Sequence, residues 1–267
     1  MKRWSKPTES IKQNVSMKSE YSNDLQKIFD RHTGRAILKW DHYFELYERY
    51  FSRFRGADVV ILEIGVYQGG SLQMWKSYFG PGASIYAIDI HPSCKQFEDE
   101  QTSIYIGSQS DPVFLHGLIE KIPRPDIILD DGGHMMHQQI TSFNHLFGHL
   151  KEGGLYMVED LHTSYWKEYD GGYKRKNTFI EYSKGLIDQL HAYHSRSRRL
   201  LPGRFTPQIR GLHFHDSMVV IEKGTHPKPQ PVEKGTDAID RSEFQAGKKT
   251  WIQQWIYNLA KLRRRLF

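Results

Sequence analysis

An α/β fold built on a mostly parallel sheet is predicted by two features of the sequence. Short apolar runs rich in Val and Ile, closing on a glycine or an acid, alternate with amphipathic helical stretches. Parallel strands need such crossovers, and burial on both faces removes the polar alternation of a surface strand. The length of 267 residues suits one large domain with extensions, and 38 % hydrophobic with 25 % charged residues is an ordinary globular mix.

Residues 1–30 are polar and show no clear element. Over 35–54 Trp40, Tyr43, Phe44, Tyr47 and Phe51 recur at helical spacing, and Gly56 breaks the pattern. Residues 59–64 (VVILEI) read as a buried strand, followed by a glycine loop and a helix over 72–78. Strands over 84–90, 103–106, 126–129 and 155–158 then alternate with helices over 95–101, 112–121, 137–150 and 179–200. Two last strands, 211–215 and 217–222, flank Asp216, which suits a tight antiparallel reversal. The expectation is seven strands with the last antiparallel. Residues 1–55 would form an N-terminal helical extension, 56–223 the domain, and 224–267 a Pro- and Lys-rich linker with a basic amphipathic tail helix.

No run approaches ~18 apolar residues, so no spanning helix is expected. The first ten residues lack the apolar core of a signal peptide. A single cysteine, Cys94, excludes a disulfide framework and a multi-cysteine zinc site. A cytoplasmic location is the expectation. The net charge of +6 sits in the tail: residues 245–267 carry six basic groups and no acid. The body is neutral, which argues against a nucleic-acid-binding face.

Glu63, Gly65, Gly69, Gly70 and Ser71 form an E-x-G-x-x-x-G-G-S pattern at a strand-to-helix junction. Glycines let the backbone turn sharply and approach a ligand. The spacing is wrong for a pyrophosphate loop, and an acid two residues before Gly65 suits an ammonium group better than a phosphate. Asp89 ends the next strand, where a carboxylate can hold ribose hydroxyls. A glycine-rich turn with no cofactor is the structural alternative. The pattern resembles motif I and the second strand of class I S-adenosylmethionine-dependent methyltransferases, which share a Rossmann-like fold. That resemblance implies that Glu63 meets the methionine amino group and Asp89 the ribose. It places Ser108 and Gln109 near the adenine, and Gly65, Tyr67, Ser71 and Asp130 around the cofactor.

Two more strand ends carry acids, Asp130-Asp131-Gly132-Gly133-His134 and Glu159-Asp160-Leu161-His162. Ligands of open α/β sheets bind at such carboxyl ends. Asp131, Glu159 and Asp160 can converge there, and three carboxylates call for a cation, Mg²⁺ with Mn²⁺ or Ca²⁺ as alternatives. His134 stands where a general base would. Helix capping by Asp131 and plain surface polarity for His134 are the structural alternatives.

The DDGGH string, the helix after it, LYMVEDLHTSYW (155–166) and GLHFHDSMVVIEK together resemble the metal-dependent sugar O-methyltransferases related to the macrocin and mycinamicin enzymes. The resemblance runs from about Trp40 to Lys223. It implies magnesium on Asp131, Glu159 and Asp160, His134 as base, and a sugar or glycan acceptor, with polysaccharide biosynthesis as a setting. His162 is expected near the acceptor, and Tyr165 with Trp166 would form a platform for a sugar's C–H face, ordinary loop packing being the alternative. A catechol-type or other vicinal-diol acceptor, and a non-catalytic cofactor-binding scaffold, are the competing functions. An iron hydroxylase would want two histidines and one carboxylate, whereas this set is oxygen-rich. Trp251, Ile252, Trp255, Ile256 and Leu259 make one apolar stripe before Lys261, Arg263, Arg264 and Arg265. That stripe could rest on the inner face of a membrane or, more commonly, pack on its own domain or a second copy.

Overall fold

The computed structural model describes residues 24–241 and Trp255. The chain divides into two compact units, Met1–Lys228 and Pro229–Phe267. In the first unit the strands are β1 Val60–Ile64, β2 Ser84–Asp89, β3 Thr102–Ile106, β4 Ile127–Asp130, β5 Leu155–Val158, β6 Ile209–His215 and β7 Met218–Lys223. The helices are α1 Asp24–Asp30, α2 Tyr43–Phe51, α3 Gly70–Phe79, α4 Pro112–Ile119, α5 Met136–Leu146 and α6 Phe179–His191. The seven strands form one sheet in the order β3-β2-β1-β4-β5-β7-β6. Strands β1 to β5 pair in parallel, and β7 enters antiparallel between β5 and β6. The mostly parallel sheet with an antiparallel last strand is thus observed. Ser217, at φ +57, is the left-handed residue of the final reversal.

Strand alternation sorts the core into two layers. Ile61, Leu129 and Met157 face α1, α2 and α3, where Tyr43, Tyr47 and Trp75 are fully buried. Leu62, Ile128 and Val158 face the other way, against Leu115 of α4, Phe143 of α5 and Phe179 of α6. The same two-residue period carries on into the acids. Glu63 and Glu159 take the α2/α3 side, whereas Asp130 takes the α5 side. The chain runs outward from β1 to β2 and β3, then returns to β4 on the other flank of β1. That reversal opens a crevice beyond the carboxyl ends of β1 and β4.

Several boundaries differ from the sequence expectation. The helix expected from residue 35 begins only at Tyr43, because the preceding segment lies flat over the glycine loop. Arg35 N–H donates to Gln73 Oε1 at 2.9 Å, and a Cβ on Gly70 would stand 2.3 Å from Arg35 O. The Arg35 N–H is thus committed to a side chain of α3 and not to a helical carbonyl. The polar stretch before residue 30 contains α1, anchored by buried Leu25. The helix expected over 179–200 stops at His191, followed by a 3-10 turn, Ala192–His194. The short helix expected over 95–101 is a 3-10 turn, Pro92–Phe97, set by a proline at its start.

In the second unit Arg241 pairs with Asp237 at 2.7 Å and with Glu233. Trp255 is helical and exposed. The rest of the expected tail stripe and its basic cluster lie outside the described residues, as do residues 1–23. No helix among the described residues is long and apolar enough to cross a membrane.

Candidate active site

Two adjoining cavities open at the carboxyl ends of the strands. The first, about 520 Å³, is bounded by Gly65, Tyr67, Asp89, Ser108, Gln109 and Gly132. That volume suits a nucleoside-sized molecule. Asp89 fixes the loop after β1: its Oδ2 accepts from Val66 N at 2.8 Å and Tyr67 N at 3.2 Å, and its Oδ1 from His91 N at 2.8 Å. Burial opposes ionisation of Asp89, but these N–H groups outweigh it and hold the carboxyl below its ordinary range. Gln109 lines the floor, accepting from Gly133 N at 2.8 Å and donating to Asp130 Oδ1 and Ser142 Oγ, each at 3.0 Å.

Glu63, Ser71 and Asp130 do not line this cavity, and strand alternation explains the two acids. Glu63 shares the face of Ile61, so it points under the glycine loop, accepting from Ser71 Oγ and Trp75 Nε1 at 3.1 Å each. Burial raises Glu63 to about 7, against the pull of Lys39. Asp130 lies on the opposite face with Gln109 and Tyr156, and burial raises it to about 6. Both acids are fully buried.

Gly65 lines the first cavity and packs against the backbone of Asp131, which lines both. It has φ +95, and a Cβ there would stand 2.2 Å from Asp131 O. Both the backbone conformation and the close approach require glycine. Gly65→Ala should therefore destabilise the protein by about 3 kcal/mol, seen as a fall of several degrees in melting temperature. A melt within about 2 °C of the parent would refute this packing, given that ~1 kcal/mol moves a domain of this size by ~2–4 °C.

The second cavity, about 640 Å³, reaches Asp131, His134, Glu159, Asp160, His162 and Trp166. His134 Nε2 lies 3.5 Å from Asp160 Oδ2 and 3.9 Å from Asp131 Oδ1. One ligand atom from each of these three residues falls within 4.8 Å of the others. His134 Nδ1 is buried with no hydrogen-bond partner. Tyr67, His134 and Asp160 line this cavity with left-handed φ of 51°, 55° and 55°. Strained non-glycine residues of this kind cluster where function holds them.

Glu159 stands one step back. Its Oε2 accepts from Lys39 Nζ at 2.9 Å and its Oε1 from the Tyr47 hydroxyl. Burial pushes Glu159 up to about 8, with Lys39 and Tyr47 pulling it down. Lys39 also reaches Asp131 Oδ2 at 2.5 Å. Burial would lower Lys39, but Asp131, Glu159 and Glu63 override it and keep the ammonium charged. Tyr43 Oη donates to Asp160 Oδ1 at 2.9 Å and accepts from Asp160 N at 3.1 Å. Lys39, Trp40, Tyr43 and Tyr47 were not assigned to the site from sequence. The stretch 40–54 reads as a helix that covers the cofactor, forms a subunit contact or packs on the sheet edge, and no local motif links Tyr43 and Tyr47 to strand ends more than a hundred residues away.

Of the residues expected near an acceptor, His162 and Trp166 line the second cavity, with ring centroids 4.6 Å apart. Tyr165 lies half exposed outside both cavities. His213 and His215, read as packing or surface residues, meet Glu222 and Tyr50 on the outer strand pair.

No protein-family model matches the chain. It is 40 % identical over 190 residues to the 8-demethyl-8-alpha-L-rhamnosyl tetracenomycin-C 2'-O-methyltransferase of Streptomyces olivaceus, covering 68 % of this chain and 50 % of that protein. It is 37 % identical over 217 residues to demethylmacrocin O-methyltransferase of Streptomyces fradiae, covering 76 % and 54 %. Among solved structures it matches the MycE methyltransferase of mycinamycin biosynthesis in complex with Mg, SAH and mycinamycin VI. The TM-score is 0.70 at 31 % identity, over 84 % of this chain and 59 % of that one. The chain spans about half the length of the sequence relatives it matches.

Proposed function

From a chain that is homologous to the macrocin- and mycinamicin-type sugar O-methyltransferases and has their class I methyltransferase fold, we propose transfer of a methyl group from S-adenosylmethionine to a hydroxyl of a glycoside. One observation carries the reading: a nucleoside-sized cavity with Asp89 at its edge opens beside the Asp131–His134–Asp160 cluster, with Tyr67, Asp131 and Gly132 as their common wall.

The residues fit both groups that the chemistry requires. Asp89 and the backbone around Gly65 and Gln109 would hold the nucleoside end of S-adenosylmethionine. Asp131 and Asp160 would hold magnesium, with Glu159 as the third carboxylate behind them; the acidic donor set and the orphaned Nδ1 of His134 mark a site built for polar ligands. Bound there, the ion would supply Lewis acidity, making a neighbouring hydroxyl easier to deprotonate. His134 takes that proton. When bound, S-adenosylmethionine would supply the methyl group to the acceptor oxygen, its sulfur keeping the electron pair of the broken carbon–sulfur bond. Lys39 and Tyr47 keep Glu159 in place, and Tyr43 does the same for Asp160.

The deciding experiment incubates the full chain with S-adenosylmethionine, Mg²⁺ and a panel of rhamnosides, oligosaccharides and catechols, with mass spectrometry of the products. A methylated glycoside is expected. Methylation of catechols alone moves the acceptor class. Binding of S-adenosylhomocysteine with no methylated product on the whole panel rejects the enzyme reading in favour of a scaffold.

A further inference from the structure

The acceptor side of the second cavity has a wall to which the strand-end string after β5 contributes His162 and Trp166, and to which Trp40 comes from outside any strand-end motif. Trp40 comes from the irregular segment before α2, and Trp166 from the loop after β5. Both indoles are held at the mouth of the cavity, 43 % and 42 % exposed. Between them stands His162, whose ring lies edge-on to Trp40 at 5.4 Å and 4.6 Å from Trp166. His162 is itself pinned, its Nδ1 lying 2.5 Å from Ser217 Oγ.

The exposure of Trp40 is not that of a loose surface side chain. On its N-terminal side, Lys39 is buried in ion pairs with Asp131 and Glu159. On its C-terminal side, Tyr43 N–H donates to Trp40 O at 3.1 Å and begins α2. The indole N–H donates to Asp160 Oδ1 at 3.1 Å. An indole held by its own hydrogen bond on a backbone anchored at both sides, and 43 % exposed at the cavity, presents a preorganised apolar surface, which lowers the ordering cost of binding. Leu38, 82 % exposed, extends that surface along the rim.

We infer that Trp40 is a specificity-determining residue for the acceptor: its ring receives the apolar C–H face of a pyranose, while its N–H orients Asp160. The inference rests on the acceptor reading above and narrows it. A pyranose has one edge of polar hydroxyls and faces of polarised C–H bonds, and an aromatic π-face attracts those C–H bonds. With the ring laid on Trp40, the hydroxyl edge turns toward Asp160 and His134. The wall therefore selects a saturated ring with adjacent hydroxyls over a flexible open-chain diol. Trp166 closes the opposite side of His162 and limits the width of what enters.

The test is calorimetric binding of methyl α-L-rhamnopyranoside to the full chain loaded with S-adenosylhomocysteine and Mg²⁺. Trp40→Ala is expected to weaken binding at least about tenfold and Trp40→Phe, which keeps a ring, no more than about threefold, on the scale of single aromatic contacts. Binding of S-adenosylhomocysteine and the melting temperature should be unchanged in both, because the indole is half exposed. An unaltered sugar affinity in Trp40→Ala overturns the inference. So does an equal loss in Trp40→Phe, because the N–H and not the ring would then carry the effect. No binding of the rhamnoside by the parent protein also overturns it. A parent that binds the sugar but transfers no methyl group sinks the proposed reaction and leaves the role of Trp40 standing.

Discussion

Replacing His134 with alanine lowers turnover about 10²–10⁴-fold, the usual contribution of a positioned general base. The same variant should bind S-adenosylhomocysteine and Mg²⁺ within about twofold of the parent, since a base contributes chiefly to the barrier. The second measurement matters because His134 Nε2 sits within reach of both Asp131 and Asp160. A histidine that ligated the ion would lose metal affinity and turnover together. Calorimetric titration of Mg²⁺ into His134→Ala separates the two roles: parallel losses of affinity and rate would make His134 a ligand and remove it as the base. The left-handed backbone at His134, φ +55, adds a control. His134→Asn tolerates that conformation better than alanine does and removes the imidazole all the same. Its turnover should fall as far as that of alanine, whereas a rate near the parent's would assign the loss in alanine to backbone strain.

Removing the divalent ion should abolish turnover altogether. An alcohol is a weak nucleophile at neutral pH, and Lewis-acid activation is worth several kcal/mol of the barrier. Chelation with EDTA followed by Mg²⁺ should restore the rate, with Mn²⁺ as a substitute. Asp131→Asn and Asp160→Asn should each weaken Mg²⁺ binding by about tenfold or more, since each loses a charge aimed at the same point. Glu159→Gln is expected to act differently. Its carboxylate meets Lys39 and the Tyr47 hydroxyl in the interior, so its loss leaves a buried ammonium with Asp131 as its remaining close carboxylate partner. That variant should lose thermal stability as well as metal affinity. Turnover that persists in excess chelator, with no metal retained by elemental analysis, would exclude the ion from the reaction.

The parts of the site that were legible in the sequence are those that local periodicity controls. The strand ends were readable because buried parallel strands are short and apolar and stop where the chain meets the crevice. The acids Asp89, Asp131, Glu159 and Asp160 stand at those stops. Gly65 was readable because a sharp strand-to-helix turn leaves few alternatives to glycine. The alternation of side chains along a strand is readable too. It sends Glu63 beneath the glycine loop and Glu159 toward α2, where its carboxylate meets Lys39 and Tyr47 at the inner wall of the second cavity.

The contribution of the N-terminal segment was not legible. Lys39 is 92 residues from Asp131 and 120 from Glu159, and no spacing rule links them. The aromatic periodicity over 35–54 predicts one helix, covering the cofactor, making a subunit contact or packed on the sheet edge. The chain instead keeps residues 33–42 irregular and starts α2 at Tyr43. Close packing on Gly70 and the desolvated carboxylates together account for that choice. Buried Glu63 and Glu159, with the partly exposed Asp131 beside them, favour a cation, and the passing segment supplies Lys39.

By itself, then, the sequence established the alternating architecture, the glycine turn and a row of acids at the crevice, all properties of residues within a few positions of each other. Only the tertiary structure determined which acids face one another, which are neutralised from behind, and that Trp40 stands at the mouth of the cleft. Those outcomes depend on contacts between segments about a hundred residues apart, whose closeness follows from packing the whole sheet and from the cost of leaving charge unpaired in its interior.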